Sequence, residues 1–395
     1  MTFDFQLLYQ VIRRSLIGTR GTNVRLTAYR VMLLFILCPV YILVELINWL
    51  CLLLDKVFFP RAARVTVQTP VFILGPPRCG TTLLHRLLSY DEEQFTSMRL
   101  WEILFAPSVI QKKFLRFTGR IDRMMGDPGE RLIKAIEKRL MASFRVIHPI
   151  GLFEVEEDSV LLLHIFGTSF LLFVFPFIEV MEPYLYFDTK MPEPRRRKIM
   201  AFYRRCLQNH LYAFGRGRRF LSKNPFFSPF PSSLSETFPD GKFILIARDP
   251  KDVVPSTLSL TTAFFHFFMS PLEACPYRDD ELDVLHHYYT YPLTVLEQLP
   301  KDRHAVITYP RLVADSENTV SQLYECFGFS FSDNFRRLLL QKNRKASAYR
   351  SSHEYSLERV GLTPGEITKR FSSVYEQFNF PKTRNSDDKR QNENP

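Results

Sequence analysis

The chain lacks the spacings that hold metals or staple small folds. Its six cysteines (Cys38, Cys51, Cys79, Cys206, Cys275 and Cys326) are scattered. With no CxxC pair among them, a disulfide framework and a zinc finger are both excluded as organising devices. No RNP-like aromatic motif appears, so nucleic acid is the weakest of the anionic partners open to a basic chain. No internal repeat is visible, which removes solenoids and propellers. The first 60 residues show no small-residue cleavage site of the kind that ends a signal peptide. The one glycine-rich loop also lacks the lysine that a nucleoside-triphosphate-hydrolysing loop needs.

What is present is a 395-residue chain, 46% hydrophobic, with 37 Phe and a net charge of +11. That is enough apolar material for one large domain with additions, or for two domains. The charge favours an anionic partner, either a phosphorylated cofactor or an acidic membrane face.

Residues 1–30 form a basic segment with Arg13, Arg14, Arg20, Arg25 and Arg30 opposed only by Asp4. Residues 31–54 are apolar enough to cross a bilayer, though Pro39, Glu45 and Asn48 interrupt them. The segment is expected to anchor the chain in a membrane. More basic residues precede it than follow it, which places the N-terminus on the cytoplasmic side if it crosses. If Pro39 bends it, it enters one leaflet and returns, leaving the remainder on the cytoplasmic face.

The organising stretch is Val71-Phe-Ile-Leu-Gly75-Pro-Pro-Arg-Cys-Gly80-Thr-Thr82. A short apolar run of buried-strand type enters a Gly-x-x-x-x-Gly turn, and an amphipathic helical pattern starts at Thr81. That order aims backbone N–H groups at a phosphate. The cation stands at Arg78 rather than after Gly80.

Further on, Leu100–Lys113 and Glu130–Phe144 read as helices. The acidic segment His148-Pro-Ile-Gly-Leu-Phe-Glu154-Val-Glu156-Glu157-Asp158 is irregular. The apolar stretch 159–180 reads as core helix rather than a second span, because His164, Gly167, Thr168 and Pro176 punctuate it. Arg195 to Lys198, Arg204, Arg205 and Arg216 to Arg219 make a basic helical face, solvated or a landing site for an anion. Three more strands are expected, at Phe220–Lys223, Lys242–Ala247 and Ala305–Thr308. The strand at 242–247 runs into Arg248-Asp249-Pro250, a helix start that puts Ser256 in the first turns. Arg248 then stands at the carboxyl end of a strand, the edge where open α/β sheets bind ligands. Residues 381–395 have nothing to bury and read as a disordered tail.

Four elements resemble, in kind and order, the motifs of the sulfotransferases that act on carbohydrates, tyrosine and related acceptors. They are the loop at 75–82, Ser222-Lys-Asn-Pro225, Arg248 through Ser256, and Arg350-Ser-Ser-His-Glu-Tyr355. The resemblance implies an α/β, P-loop-like three-layer domain over 68–380, with a central parallel sheet and helical insertions. It implies 3′-phosphoadenosine 5′-phosphosulfate as sulfuryl donor, with no metal required. Pro77, Arg78, Cys79, Gly80, Thr81 and Thr82 would hold its 5′-phosphosulfate, Arg248 and Ser256 its 3′-phosphate, and Arg350 would lie in a segment closing over the nucleotide. Lys223 matches the family's Lys-x-Pro element and is placed at the leaving phosphate. The base that takes the acceptor proton is expected in the acidic segment, Glu157 first, then Glu156, with Glu154, Asp158 and His148 behind them.

The sequence departs from the family at Cys79, usually Ser, and at Ser352 and Glu354, often lysines. The expected partners are a hydroxyl-bearing acceptor (glycan, lipid or tyrosine) and a membrane, not nucleic acid. The location implied is the Golgi lumen side in a eukaryote and the cytoplasmic face in a bacterium. The alternatives are a P-loop kinase, whose loop lysine and magnesium-binding acidic strand end are missing, and a membrane scaffold of the same fold without activity.

Overall fold

The computed structural model describes residues 3–140, 151–215, 217–346 and 357–381. His148, Arg216, the Arg350–Tyr355 segment and most of the expected tail lie outside them.

Five strands are described: β1 (Val71–Leu74), β2 (Phe95–Thr96), β3 (Arg219–Lys223), β4 (Lys242–Ala247) and β5 (His304–Thr308). They form one sheet in the order β2-β3-β1-β4-β5, every neighbouring pair parallel. All four residues of β1 and all six of β4 are buried, as central strands covered on both faces must be. Phe72 pairs with Phe243 across the two strands and their rings stack at 5.5 Å. Because every strand is parallel, all the strand-to-helix turns open on one edge of the sheet, and the loop after β1 sits near its middle.

The helix after β1 is Thr81–Ser89 and the helix after β4 is Pro250–Phe268. Asp249 caps the latter, accepting from the Lys251 amide at 2.9 Å, with Pro250 in the first turn where its missing N–H costs nothing. The strands expected at 220–223, 242–247 and 305–308 are present with bounds shifted by no more than one residue. The two-residue β2 carries no sequence signal of its own.

Two stretches differ from the sequence reading. The helix expected over 100–113 is divided into Leu100–Phe105 and Val109–Met124, because Pro107 cannot continue the first, and Ser108 caps the second. Residues 159–180 form no long helix. They make two 3-10 segments, Asp158–Ile165 and Ser169–Phe173, and then a short helix, Ile178–Leu185. The break falls at Phe166, whose φ of 53° is left-handed, and at Gly167.

The apolar N-terminal segment is one helix, Ala28–Phe58, of 31 residues. It is long and apolar enough to cross a membrane. Its polar residues Arg30, Glu45, Asn48 and Asp55 are buried against the domain, while its outer face is apolar and exposed.

Candidate active site

The loop between β1 and the helix Thr81–Ser89 is built around two glycines that no other residue can replace. Gly75 has φ +132°, and a Cβ there would lie 2.2 Å from the Ile246 carbonyl oxygen on β4. Gly80 has φ +104°, and its Cβ would meet the Tyr309 ring at 2.4 Å. The close approach lets the turn sit flat on the sheet edge. Gly80 is also the N-cap of the following helix and supplies no side-chain acceptor. The first-turn N–H groups there lack a capping side chain, which is the arrangement that receives an anion.

Arg78 has φ +67°, unusual for a residue with a Cβ. Its Nε donates to Ser256 Oγ at 2.9 Å. The loop after β1 and the helix after β4 are thereby joined by the two residues that the sequence assigned to different phosphates. Arg248 stands at the end of β4, with its guanidinium 4.6 Å from the Tyr309 ring centroid and its Nε donating to Asp252 Oδ2 at 3.0 Å. Tyr309 thus touches both Gly80 and Arg248. Its position just after β5 gave no sequence signal for this.

Cys79 is fully buried, and burial pushes its thiol up to about 12. Its Sγ lies against Gly75, and the residue is not on the cavity wall.

Lys223 ends β3 and is 3% exposed, with its Nζ 3.6 Å from Glu157 and 3.8 Å from Glu156. These carboxylates come from the irregular segment ahead of the 3-10 turn at Asp158. The chain there is held by a bridge between Arg99 and Val155 and by Glu156 N–H donating to the Met98 carbonyl. Burial raises the Glu156 carboxyl to about 7; Lys223 opposes that rise and Glu157 adds to it. Glu157 is raised too, by burial, against the pull of Lys223. Two carboxylates sharing one ammonium cannot both ionise easily.

Asp158 is a different kind of acid. It is buried behind β3 and accepts hydrogen bonds from Tyr203, from Ser222 at 2.7 Å and from Asn224 at 3.4 Å. With its oxygens spoken for, it holds the segment in place. Glu154 does not reach this cluster through any described hydrogen bond of its side chain.

His85, on the loop helix, was not singled out from the sequence. It is buried, bonds Ser97 Oγ through Nε2 at 3.0 Å, and is driven down to about 3 by burial and by Lys223. It stays neutral at neutral pH. Arg86, one residue on, is exposed to the same space.

A single cavity of about 1310 Å³ joins these parts. Its wall includes Pro77, Arg78, Gly80, Thr81 and Thr82 of the loop, Arg248 and Ser256 of the β4 motif, and both Glu156 and Glu157. Elsewhere it is aromatic: Phe170, Phe173, Phe226 and Phe264 form a connected set with ring centroids 4.4 to 6.2 Å apart. Glu281 also lines it, donated to by Thr261 Oγ1 at 2.7 Å and raised to about 7 by burial. Of the residues assigned from the sequence, only Arg350 and His148 fall outside the described parts. Lys223 lies behind the carboxylates rather than on the wall. Among the described residues, no three His, Cys, Asp or Glu side chains gather as a metal site.

A family model described as the sulfotransferase family matches residues 70–333. The chain is 26% identical over 347 residues to the omega-hydroxy-beta-dihydromenaquinone-9 sulfotransferase of Mycobacterium bovis, covering 84% of this chain and 82% of that protein. The solved sulfotransferase from Mycobacterium tuberculosis superposes with a TM-score of 0.67 at 20% identity, over 93% of this chain and 91% of that one. A second, from Mycobacterium avium, gives 0.69 at 17% identity over 85% and 83%. Both agree with the α/β architecture described above.

Proposed function

We propose, from the premise that this chain belongs to the sulfotransferase family, that it moves a sulfuryl group from 3′-phosphoadenosine 5′-phosphosulfate to the hydroxyl of an apolar, lipid-type acceptor. The observation that carries the reading is the single cavity in which a phosphate-type loop, a pair of raised carboxyls and an aromatic wall meet.

The donor-binding end suits such a nucleotide. The flat turn at Gly75 and Gly80 and the helix start without a capping side chain suit a phosphosulfate. Arg248 keeps its terminal N–H groups for a phosphate monoester while its Nε is held by Asp252, and the planar fork is suited to that ligand. Bound there, the nucleotide supplies the activated sulfuryl group. Arg78 and the loop amides stabilise the negative charge that develops on the departing phosphate.

The proton of the acceptor hydroxyl goes to the Glu156–Glu157 pair. A carboxyl near 7 is half ionised at neutral pH, and its basicity is matched to that task. Lys223 keeps one of the two carboxylates charged and fixes both in place. It is a positioning residue in this reading. The aromatic wall favours an apolar acceptor, because packing it against the Phe170–Phe264 set takes its apolar surface out of water. The Mycobacterium bovis relative is itself named for a hydroxylated menaquinone.

Calorimetric titration with 3′-phosphoadenosine 5′-phosphate, beside ATP with magnesium, tests the donor assignment. Binding of the bisphosphate that weakens at least tenfold in Arg248→Ala is expected. Selective binding of ATP with magnesium, indifferent to Arg248, would move the kinase alternative ahead.

A further inference from the structure

The hydropathy of the helix Ala28–Phe58 conceals its orientation. Arg30, Tyr41, Glu45, Asn48 and Asp55 fall on one side at helical spacing, and that side faces the domain. Arg30 donates to the carbonyls of Phe268 and Val174 at 3.3 Å each. Tyr41 donates to Leu163 O at 2.7 Å, and Glu45 bonds His164 Nδ1 at 2.8 Å. Asn48 donates to Leu104 O at 3.2 Å. Asp55 accepts from the Val109 and Ile110 amides at 2.7 and 3.1 Å, capping the next long helix.

These attachments run from Arg30 to Asp55, 25 residues apart. At about 1.5 Å per residue that is about 37 Å, longer than the roughly 30 Å of a bilayer's hydrocarbon. A helix tied to the domain over that length cannot cross a membrane unless the domain surface beneath it enters as well. If it were detached to cross alone, the Glu45 carboxyl and the Asn48 amide would be left in lipid without their partners, and the contacts of Arg30 and Asp55 to the domain would be lost.

The opposite side is the reverse in character. Phe35 is 79% exposed, Val57 71% and Leu46 64%. The apolar surface continues on both flanks. Phe166 contacts both Phe3, beside the helix Phe5–Leu16, and Tyr41, and Phe5, Tyr9 and Ile12 are exposed on that first helix. The helix capped by Asp55, Val109–Met124, exposes Phe117, Ile121 and Met124 with the exposed Arg116, Arg120 and Arg123 interleaved. Arg13, Arg20 and Arg25 are exposed near the other end. Apolar side chains in a basic setting, on a chain of charge +11, are complementary to an anionic lipid surface.

We infer that Ala28–Phe58 lies in the plane of an anionic phospholipid bilayer, with its apolar face in one leaflet, and does not cross it. The domain then rests on that leaflet. The cavity's aromatic end is beside the membrane, because the carbonyls held by Arg30 belong to Val174, next to Phe173, and to Phe268, one turn beyond Phe264. An apolar acceptor reaches the cavity from the leaflet without passing through water. The docking itself does not depend on the identity of the acceptor.

The test uses the full chain with vesicles of phosphatidylglycerol mixed with phosphatidylcholine, and with phosphatidylcholine alone. Co-flotation with the mixed vesicles, reduced by salt and by omission of the anionic lipid, is expected. Tryptophan variants at outer positions (Phe35→Trp, Leu43→Trp, Leu50→Trp) are then quenched by lipids brominated at graded depths. One shared, shallow depth for all three is expected. A deep centre at Leu43→Trp with shallower ends would mean a crossing helix and overturn the inference, as would failure to bind the mixed vesicles. Leu46→Asp and Leu50→Asp, at exposed positions that leave the fold's thermal transition unchanged, each lower partitioning about tenfold or more. Unchanged partitioning in both would also overturn it.

Discussion

Among the buried acids of the described residues, Glu102 and the Glu156–Glu157 pair are built to opposite ends. At Glu102, one carboxylate meets Lys112 Nζ and His210 Nδ1, both at 3.1 Å, and accepts the Arg99 amide at 2.9 Å. Burial works against its charge, but Lys112 and His210 outweigh that and hold it well below the usual carboxylate range. At Glu156 and Glu157, two carboxylates face one cation at 3.8 and 3.6 Å respectively, and burial wins. The first cluster has its charges and hydrogen bonds matched, and it lies away from the cavity wall. The second is under-neutralised and opens on the cavity. Matched charge fixes structure, whereas unmatched charge beside a cavity leaves a proton that can move.

The sharpest break in that comparison is a pair of matched substitutions. Glu156→Gln and Glu157→Gln remove the acceptor of the proton and should lower turnover by about 10²- to 10⁴-fold in the more important of the two, without loss of thermal stability. Lys112→Met leaves Glu102 buried without its cation and should cost about 3–5 kcal/mol of stability, read from denaturant unfolding.

The pH dependence separates the clusters by sign. A carboxyl raised to about 7 in the folded protein is protonated there when its unfolded counterpart, near 4.5, is not. Its contribution to stability is present below about 4.5 and is lost as pH rises to about 7, on the order of 2 kcal/mol for Glu156. Glu102 is depressed, so its contribution is present above about 4.5 and is lost as pH falls. Stability measured across pH 2 to 8 should show both slopes. Glu156→Gln should reduce the upper one, to which Glu281 also contributes, leave the lower one as it is, and remove the rise of kcat/KM with pH near 7.

Glu281 gives the smallest effect. It is raised to about 7 by burial with only Thr261 to help it, so Glu281→Gln should raise stability at pH 8 by on the order of 1–2 kcal/mol. A fall in acceptor affinity in the same variant would place Glu281 among the groups that touch the acceptor.

The parts of this account legible in the sequence are those encoded by contiguous residues. The β1 and β4 strands are unbroken apolar runs, and the loop between Gly75 and Thr82 announces itself by glycine spacing. The Asp249-Pro250 helix start carries its own cap. What the sequence hid depends on tertiary placement. His85 with Arg86, Tyr309 and Glu281 enter the site from three separate elements, and no spacing links those elements. The polar side of Ala28–Phe58 was diluted by hydropathy averaged over the whole turn, although Glu45 and Asn48 had marked it. Residues 159–180 looked helical by apolar content, but Phe166 turns left-handed and Gly167 follows it, which content alone does not report. Arg248 pairs with Asp252 as an ordinary surface arginine would, and only its place on the wall shared with Arg78 and Ser256 sets it apart.

The central claim is that one cavity brings an activated sulfuryl group and an apolar acceptor to the Glu156–Glu157 pair. The direct measurement is transfer of radiolabelled sulfate from 3′-phosphoadenosine 5′-phosphosulfate to a hydroxylated prenylquinone presented in vesicles. Wild-type protein, Arg248→Ala and the Glu156→Gln, Glu157→Gln double variant would be compared. The account predicts label in the lipid fraction with the wild type, a loss restored by high donor concentration in Arg248→Ala, and a loss that no donor concentration restores in the double variant. Undiminished transfer by the double variant, or label on a soluble glycan and none on the lipid, would contradict it.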